Sequence, residues 1–113
     1  GVCRLNSNES LPGWVSPSSF YSITKTSDEL SIVCSQDNIP KDIRCEKDWR
    51  ILKVEGPLDF SLIGILASIS TILAQKGISI FALSTYDTDY ILVKEKYIDA
   101  AMVALSEEGY EIL

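Results

Sequence analysis

Three aspartates, Asp59, Asp87 and Asp89, lie in short polar segments beside apolar runs of the chain. An ionised carboxylate is the natural charge-assisted hydrogen-bond partner of an ammonium group, so each is a candidate ligand-binding residue. Asp side chains in turns also bond their own backbone two residues further on, which gives Asp87 and Asp89 a purely structural explanation. The sequence leaves both interpretations open.

The residue types that usually carry catalysis are missing from the sequence. None of the 113 residues is His, which removes the usual general base at neutral pH and the commonest metal ligand. No GxGxxG, GxSxG or phosphate-loop motif occurs, and Asp87 and Asp89 are only two residues apart in one predicted turn. We therefore predict no enzyme activity, no catalytic residues, no metal site and no cofactor.

The sequence has three cysteines, Cys3, Cys34 and Cys45. They cannot all pair within one chain, and none lies in the CxxC spacing of zinc or redox sites. We interpret them as reduced, small, half-buried hydrophobic residues, with a disulfide, a metal or a reactive thiol as the alternatives. Reduced thiols predict a cytoplasmic protein.

Charge and hydropathy limit the partners of the chain. Sixteen acidic and ten basic residues give a net charge of -6, so the chain lacks the positive charge that supports nucleic-acid binding. The longest apolar stretch, residues 62–73, is shorter than the ~20 residues that cross a bilayer, and no segment resembles a signal peptide. We expect neither a nucleic-acid partner nor a membrane.

The elements that would position the aspartates begin at Trp49. Residues 49–55 mix Trp, Ile and Val with charged residues in rough alternation, which predicts a strand with one solvated face. Gly56 and Pro57 end this strand in a turn.

The segment after this turn predicts a helix over residues 59–76. Its apolar residues recur at intervals of three and four, as on the buried face of an amphipathic helix: Leu62, Ile65, Leu66, Ile69, Ile72 and Leu73. Asp59 or Ser61 can cap its first turn, and Gly77 fits the left-handed position after its last turn.

The rest of the chain predicts a hairpin, a second helix and a last strand. Residues 78–85 are nearly all apolar, which indicates a strand covered on both faces or placed at an interface. A turn at 86–89 connects it to a partner strand at 90–94. A helix follows over 95–109 and a strand over 110–113. The order βαββαβ is the α+β, ferredoxin-like arrangement, in which two helices pack on one face of an antiparallel sheet.

Residues 1–48 differ from residues 49–113 in composition and in predicted secondary structure. They are polar and turn-rich, and VCRL, FYSITKT and LSIVC are their short strand candidates. No segment predicts a helix. We interpret residues 1–48 as a β-rich unit, a degenerate second copy of the domain at 49–113.

Residues 49–113 resemble the ACT domains, which bind amino acids and regulate metabolic enzymes and sensors. WRILKVEGPLDFSLIGIL and GISIFALSTYDTDYILVKEK are similar to small bacterial ACT proteins related to the eukaryotic cytosolic arginine sensors. In such proteins a reduced, helix-poor ACT-like unit precedes the complete domain. Residues 1–48 are similar to that unit through FYSITKTSDELSIVC, so the resemblance implies a partial ACT-like segment followed by a complete ACT domain.

The resemblance implies an amino-acid ligand where the first-strand loop and the first helix meet a strand of a neighbouring ACT unit. Free amide groups at a helix start over Asp59–Leu62 can receive the ligand carboxylate. Gly64, one turn further, would permit close approach of a ligand. Close packing of the helix on the sheet explains this glycine equally well.

By the same resemblance, Asp89 matches an acidic ligand-contacting position, and Thr85 and Tyr86 match hydroxyl and aromatic contacts. Leu62 and Ile63 match neighbouring pocket positions. The arginine sensors carry polar residues at these two positions, so the resemblance favours a ligand with a smaller or more apolar side chain than arginine.

Ser79 and Ile80 match positions whose backbone closes the site from the adjacent ACT unit. We interpret that unit as a second copy of the chain, because an apolar edge strand can pair side by side with its two-fold mate. The sequence therefore predicts an allosteric homodimer that binds an amino-acid-like ligand at its interface and acts on a separate regulated protein. The alternative is a dimeric interaction scaffold that binds no ligand.

Overall fold

The computed structural model describes residues 1–54 and 64–112 and divides the chain into two compact units. Unit 1 is Gly1–Asp48 and unit 2 is Trp49–Leu113. No helix in the described ranges is long and apolar enough to cross a membrane. The protein is α+β, and its described residues form antiparallel sheets and two α-helices, both of which lie in unit 2.

Unit 1 is a four-stranded antiparallel sheet with the order β2-β3-β1-β4. Its strands are β1 (Val2–Leu5), β2 (Ser22–Lys25), β3 (Leu30–Val33) and β4 (Cys45–Glu46). A single 3-10 turn spans Gln36–Asn38, and residues 1–48 contain no α-helix. The predicted strands in VCRL, FYSITKT and LSIVC are all present.

The core of unit 1 is small and includes two of the cysteines. Its buried side chains are Cys3, Val15, Leu30, Ile32, Cys34 and Ile39. A buried hydroxyl supports the loops that cover this core. Ser18 is 7% exposed, and its Oγ accepts hydrogen bonds from the Ser35 amide at 3.1 Å and from Asn38 Nδ2 at 3.2 Å.

Unit 1 ends at a residue held in an unusual conformation. Asp48 has φ = 66°, and it is the one non-glycine residue with positive φ in the described ranges. The Gln36 side chain holds it by accepting from the Asp48 amide at 2.6 Å and donating to Asp48 Oδ1 at 3.1 Å. These two hydrogen bonds offset the ~1–2 kcal/mol that the left-handed conformation costs an L-residue.

Unit 2 contains a three-stranded antiparallel sheet with the order β5-β7-β6. Its elements in chain order are β5 (Trp49–Lys53), α1 (Ile65–Gln75), β6 (Ile80–Ser84), β7 (Asp89–Lys94) and α2 (Ile98–Glu107). A 3-10 turn, Glu95–Tyr97, opens α2. The sheet and helices follow the predicted order as far as α2.

Both helices pack against β7, the middle strand of the sheet. Ile91 and Val93 point to one face of β7 and join the helix residues of a single core. That core consists of Ile69, Leu73, Ile78, Ile91, Val93, Ile98, Ala101 and Leu105. The apolar stripe predicted for the first helix supplies Ile69 and Leu73, which are 4% and 0% exposed.

The first helix begins later than the sequence predicts. Its first residue is Ile65, Gly64 precedes it with φ = 87°, and the Ser68 amide bonds to the Gly64 carbonyl at 2.8 Å. The expected caps, Asp59 and Ser61, lie outside the described residues. Among the described residues, no atom lies within 4 Å of where a Cβ at Gly64 would be, so the positive φ is what favours glycine at this position.

Both helices end in the same hydrogen-bonded cap around a left-handed glycine. In α1, Gly77 (φ 72°) bonds to Ala74 O and Ile78 to Leu73 O, both at 3.0 Å. In α2, the amide of Gly109 (φ 93°) bonds to Ser106 O at 3.1 Å and that of Tyr110 to Leu105 O at 3.0 Å. This is the Schellman motif, and it confirms the expected role of Gly77 and Gly109.

The strand expected over 110–113 is wrong for residues 110–112, which form no strand; Leu113 lies outside the described residues. The cap of α2 commits the Tyr110 amide to Leu105, and the Tyr110 hydroxyl donates to Ser68 Oγ on α1 at 3.0 Å. These contacts hold Tyr110 against the helices. The segment and β5 instead line a cavity of about 420 Å³.

The β6 strand is an edge strand. Its apolar sequence allowed a strand covered on both faces, and the structure does not show this. In the described part of the sheet it pairs only with β7. Ala82 and Ser84 are exposed, whereas Phe81 and Leu83 are half-buried. Burial on both faces therefore does not explain its apolar composition.

The hairpin of β6 and β7 is tied to the end of β5 by a buried threonine. Thr88 is 6% exposed, and its hydroxyl donates to the Val54 carbonyl. The Val54 amide in turn donates to Asp89 O at 3.0 Å. These bonds fix the turn of the hairpin beside the end of the first strand of unit 2.

We expect Gly109→Ala to lower the free energy of unfolding of unit 2 by about 1–2 kcal/mol, because alanine is strained at positive φ. Gly109→Asn should cost less, because asparagine tolerates the left-handed region. Urea denaturation followed by the far-UV helix signal measures both. Equal losses for the two variants would contradict the conformational explanation.

We expect Thr88→Val to destabilise unit 2 by about 1–3 kcal/mol, because it removes the hydroxyl of a buried residue that donates to the Val54 carbonyl. Valine keeps the β-branched shape, so the loss reports the hydroxyl. The matched control is Thr85→Val in the same turn, whose side chain is exposed and whose loss should be smaller. The same denaturation experiment measures both, and a larger loss at Thr85 would refute the role given to Thr88.

Candidate functional site

The turn between β6 and β7 gathers three of the predicted site residues, Thr85, Tyr86 and Asp89. Thr85 closes this turn with both backbone and side chain. Its amide donates to Thr88 O at 2.8 Å, and its hydroxyl bonds to the carbonyl and the amide of Thr88 at 3.1 and 3.2 Å. The turn predicted at 86–89 is therefore present and rigidly hydrogen-bonded.

Asp89 is held by a cross-strand contact and not by its own backbone. It lies directly opposite Ser84 in the hairpin register, and Ser84 Oγ donates to Asp89 Oδ1 at 2.6 Å. The side chain of Asp89 is half-buried. Since a carboxylate offers about four acceptor positions, one hydrogen bond from Ser84 orients it and leaves capacity for a ligand.

Tyr86 lies at the tip of the same turn. Its side chain is 81% exposed, so the ring contributes little to the core of unit 2. Tyr86 and Asp89 are three residues apart in the sequence, so the hairpin end carries both an exposed aromatic ring and an oriented carboxylate. That combination suits a ligand with both an ammonium group and an apolar part.

Ser79 and Ile80 lie at the opposite end of β6 from this turn. Ser79 is exposed and Ile80 is half-buried. At about 3.3 Å per residue, Ile80 is ~13 Å along the strand from Ser84. Within one chain, the structure therefore does not bring Ser79 and Ile80 together with Asp89.

The remaining predicted site residues, Asp59, Leu62 and Ile63, lie outside the described residues. The helix amides proposed to receive a carboxylate are displaced from the predicted position, because α1 begins at Ile65 and not near Asp59. The first-turn amides without an intrahelical acceptor are those of the residues that follow Gly64.

Two residues of this region were not predicted from the sequence. Ser84 and Thr88 are the groups that orient Asp89 and anchor the turn. In the sequence Thr88 lies between two aspartates in YDTD, a pattern typical of an exposed turn, so its burial was not predicted. Its burial depends on contact with Val54, which is 34 residues away in the chain.

A larger cavity lies elsewhere on unit 2. It has a volume of about 580 Å³, lies between α1 and the end of α2, and is lined by residues such as Ser68, Thr71, Gln75 and Tyr110. Gly64, proposed from the sequence as a point of close ligand approach, also lines this cavity, whereas Thr85, Tyr86 and Asp89 do not. Within the described ranges, no group of three or more Cys, Asp or Glu side chains could hold a metal ion.

The comparison with solved structures finds this chain architecture in two bacterial proteins. An Agobacterium tumefaciens protein with a crystal structure is 39% identical, with a TM-score of 0.93 over 99% of this chain and 84% of that one. A Vibrio cholerae protein of unknown function has a TM-score of 0.78 at 20% identity, over 96% of this chain and 82% of that one. The second likeness shows the fold alone.

The curated proteins include a mammalian relative. Subunit 1 of the cytosolic arginine sensor for mTORC1 of Bos taurus is 27% identical over 100 residues, which cover 79% of this chain. Those residues make up 30% of the bovine protein, so the chain spans less than a third of its length.

Family models match both parts of the chain. The model of an N-terminal domain family matches residues 1–42. The ACT domain model matches residues 44–107, which is more than half of the chain and includes both helices and the β6–β7 hairpin. The chain therefore belongs to the ACT domain family.

Proposed function

We propose that this protein is a non-enzymatic regulatory ACT protein that binds an amino-acid-like molecule between two copies of the chain. Its membership of the ACT family and its similarity to a subunit of an arginine sensor support a role in binding. The regulated target is a separate protein. Residues 1–48 act as the reduced ACT-like unit that precedes the complete domain.

The observation that carries the proposal is the backbone direction along the free edge of β6. Thr85 and Thr88 form a backbone hydrogen-bonded pair, and bonded and non-bonded pairs alternate along an antiparallel ladder. Every second residue of β6, counted back from Ser84, therefore directs its N–H and C=O groups away from β7. Those residues are Ser84, Ala82 and Ile80. Their backbone groups are available to a second strand.

Two-fold antiparallel pairing of β6 about Ala82 places both parts of the predicted site together. In that register Ile80 of one copy lies opposite Ser84 of the other, and Ser79 lies opposite Thr85. The ~13 Å that separates these residues in one chain is removed by the second copy. Two equivalent sites follow from the two-fold symmetry.

The chemistry of each site follows from its polar groups. Asp89, oriented by Ser84, accepts an ammonium group of the ligand, and the net charge of -6 favours the approach of a cationic group. Tyr86 covers an apolar side chain of the ligand. The region 55–63 supplies Asp59, Leu62 and Ile63 to the same ligand.

A thermal-shift screen of the twenty amino acids tests ligand binding. A ligand at ~100 times its Kd should stabilise the native protein by about 2.7 kcal/mol. We expect Asp89→Asn to weaken the affinity for the bound amino acid about 10- to 100-fold, because the amide keeps the contact with Ser84 but loses the charge. The matched control, Asp87→Asn, removes the same charge from an exposed position in the same turn and should change the affinity little.

Two results would count against this site. Equal effects of the two Asp→Asn variants would mean that only the net charge matters. No stabilisation by any amino acid, in a protein that is nevertheless dimeric, would favour the alternative function, a dimeric scaffold for a partner protein.

Sedimentation equilibrium tests the pairing of β6. Ala82→Pro removes a backbone donor on the free edge and leaves the β6–β7 ladder intact, so we expect it to shift the protein from dimer to monomer. Ala82→Val, which keeps the N–H group, is the control and should remain dimeric. A monomeric wild type, or a dimeric proline variant with a normal CD spectrum, would refute pairing through β6.

A further inference from the structure

Two cysteines of unit 1 lie directly opposite one another on neighbouring strands. Cys3 on β1 is paired in register with Cys45 on β4. The next pair along the ladder is bonded through its backbone, with the Arg4 amide donating to Arg44 O at 3.0 Å. Because bonded and non-bonded pairs alternate in an antiparallel ladder, Cys3 and Cys45 form a non-hydrogen-bonded pair.

This placement matches the geometry that a disulfide needs. Opposite residues in a non-hydrogen-bonded pair have Cα atoms about 4.5 Å apart, within the range of roughly 4.4–6.8 Å found for disulfides. Cys45 lies close enough to Cys3 to contribute to the raised pKa of the Cys3 thiol. No backbone rearrangement is therefore required to bring the sulfurs together.

The third cysteine is placed less favourably. The residue opposite Cys3 on β3 is Ile32, and Cys34 lies two residues after Ile32, immediately beyond the end of β3. Its relation to Cys3 is diagonal, and diagonal neighbours are farther apart than directly opposite ones. Geometry therefore favours Cys45 over Cys34 as the partner of Cys3.

We propose that Cys3 and Cys45 form a reversible disulfide by exchange with a low-molecular-weight disulfide, which makes unit 1 a site of oxidative modification. In the first step the Cys45 thiolate attacks the small disulfide, forms a mixed disulfide and releases one small thiol. In the second, the Cys3 thiolate attacks the Cys45 sulfur and releases the second small thiol. The two protein thiols lose two electrons and two protons, and the small disulfide gains them.

The order of these steps follows from exposure. Cys45 is half-buried, whereas Cys3 is 1% exposed and is reached only after Cys45 has reacted. Burial raises the pKa of Cys3 to about 12, with a further contribution from the contact with Cys45. Because the thiolate is the nucleophile, the burial of Cys3 slows the second step at neutral pH.

The consequence of the bond is a closed loop that contains nearly all of unit 1. It links β1 to the two-residue strand β4, the last strand before Asp48. Such a cross-link limits the unfolded chain and should stabilise unit 1. Oxidation would therefore convert a sheet with a short, weakly paired edge into one whose edge is covalently fixed.

Peptide mapping of the full chain tests the proposal directly. The protein is equilibrated with oxidised and reduced glutathione, its remaining thiols are blocked with iodoacetamide, and it is digested with trypsin. Cleavage after Arg4, Lys25, Lys41, Arg44 and Lys47 places each cysteine on its own peptide: 1–4, 26–41 and 45–47. We expect peptide 1–4 linked to 45–47 with the loss of two hydrogen atoms, reversed by dithiothreitol, and a higher melting temperature for the oxidised protein.

Cys34→Ser is the matched control, and it should keep the link between peptides 1–4 and 45–47. If that variant fails to fold, the wild-type map alone decides. Linkage of 1–4 to 26–41, a stable glutathione adduct on Cys45 without ring closure, or a link that forms only in urea would each overturn the proposal.

Discussion

Unit 2 depends on the burial of its middle strand, β7. Ile91, Leu92 and Val93 are 1%, 1% and 0% exposed, so both faces of the strand are covered. Burying each such side chain contributes about 1.5–3 kcal/mol. The strand pairs with β5 and β6, and its Ile91 and Val93 share a core with both helices. The position of the hairpin turn, and with it the candidate site, follows from where this strand begins.

The candidate site is a polar extension of that apolar framework. At Asp89, the first residue of β7, the side chain is no longer fully buried. Hydrogen bonds fix the positions of the side chains there. Thr88 holds the turn to Val54, and Ser84 holds the carboxylate of Asp89. A carboxylate fixed in this way loses little conformational freedom on binding, which favours affinity for a small ligand. The edge strand β6 beside it supplies backbone groups that suit recognition by a second copy.

Residues 1–48 use a different means of stabilisation. The core of unit 1 has few large side chains, and Cys3 and Cys34 are two of its six buried residues. Backbone amides donate hydrogen bonds to the side chains of Ser18 and Gln36, and these bonds hold the irregular segments around it. A small core leaves more of the stability to individual links, and this is why the opposed cysteines of β1 and β4 have consequences for unit 1.

The sequence by itself determined the features whose signals are local: the apolar stripe of the first helix, the glycine that ends it, the order of the elements from β5 to α2 and the YDTD turn. It also carried the ACT resemblance, which the family model confirms. Only the tertiary structure decided that α1 begins at Ile65, that residues 110–112 form no strand, that Thr88 is buried and that Asp89 bonds to Ser84. These features depend on strand register and on contacts between distant segments, which the periodicity of one segment does not encode.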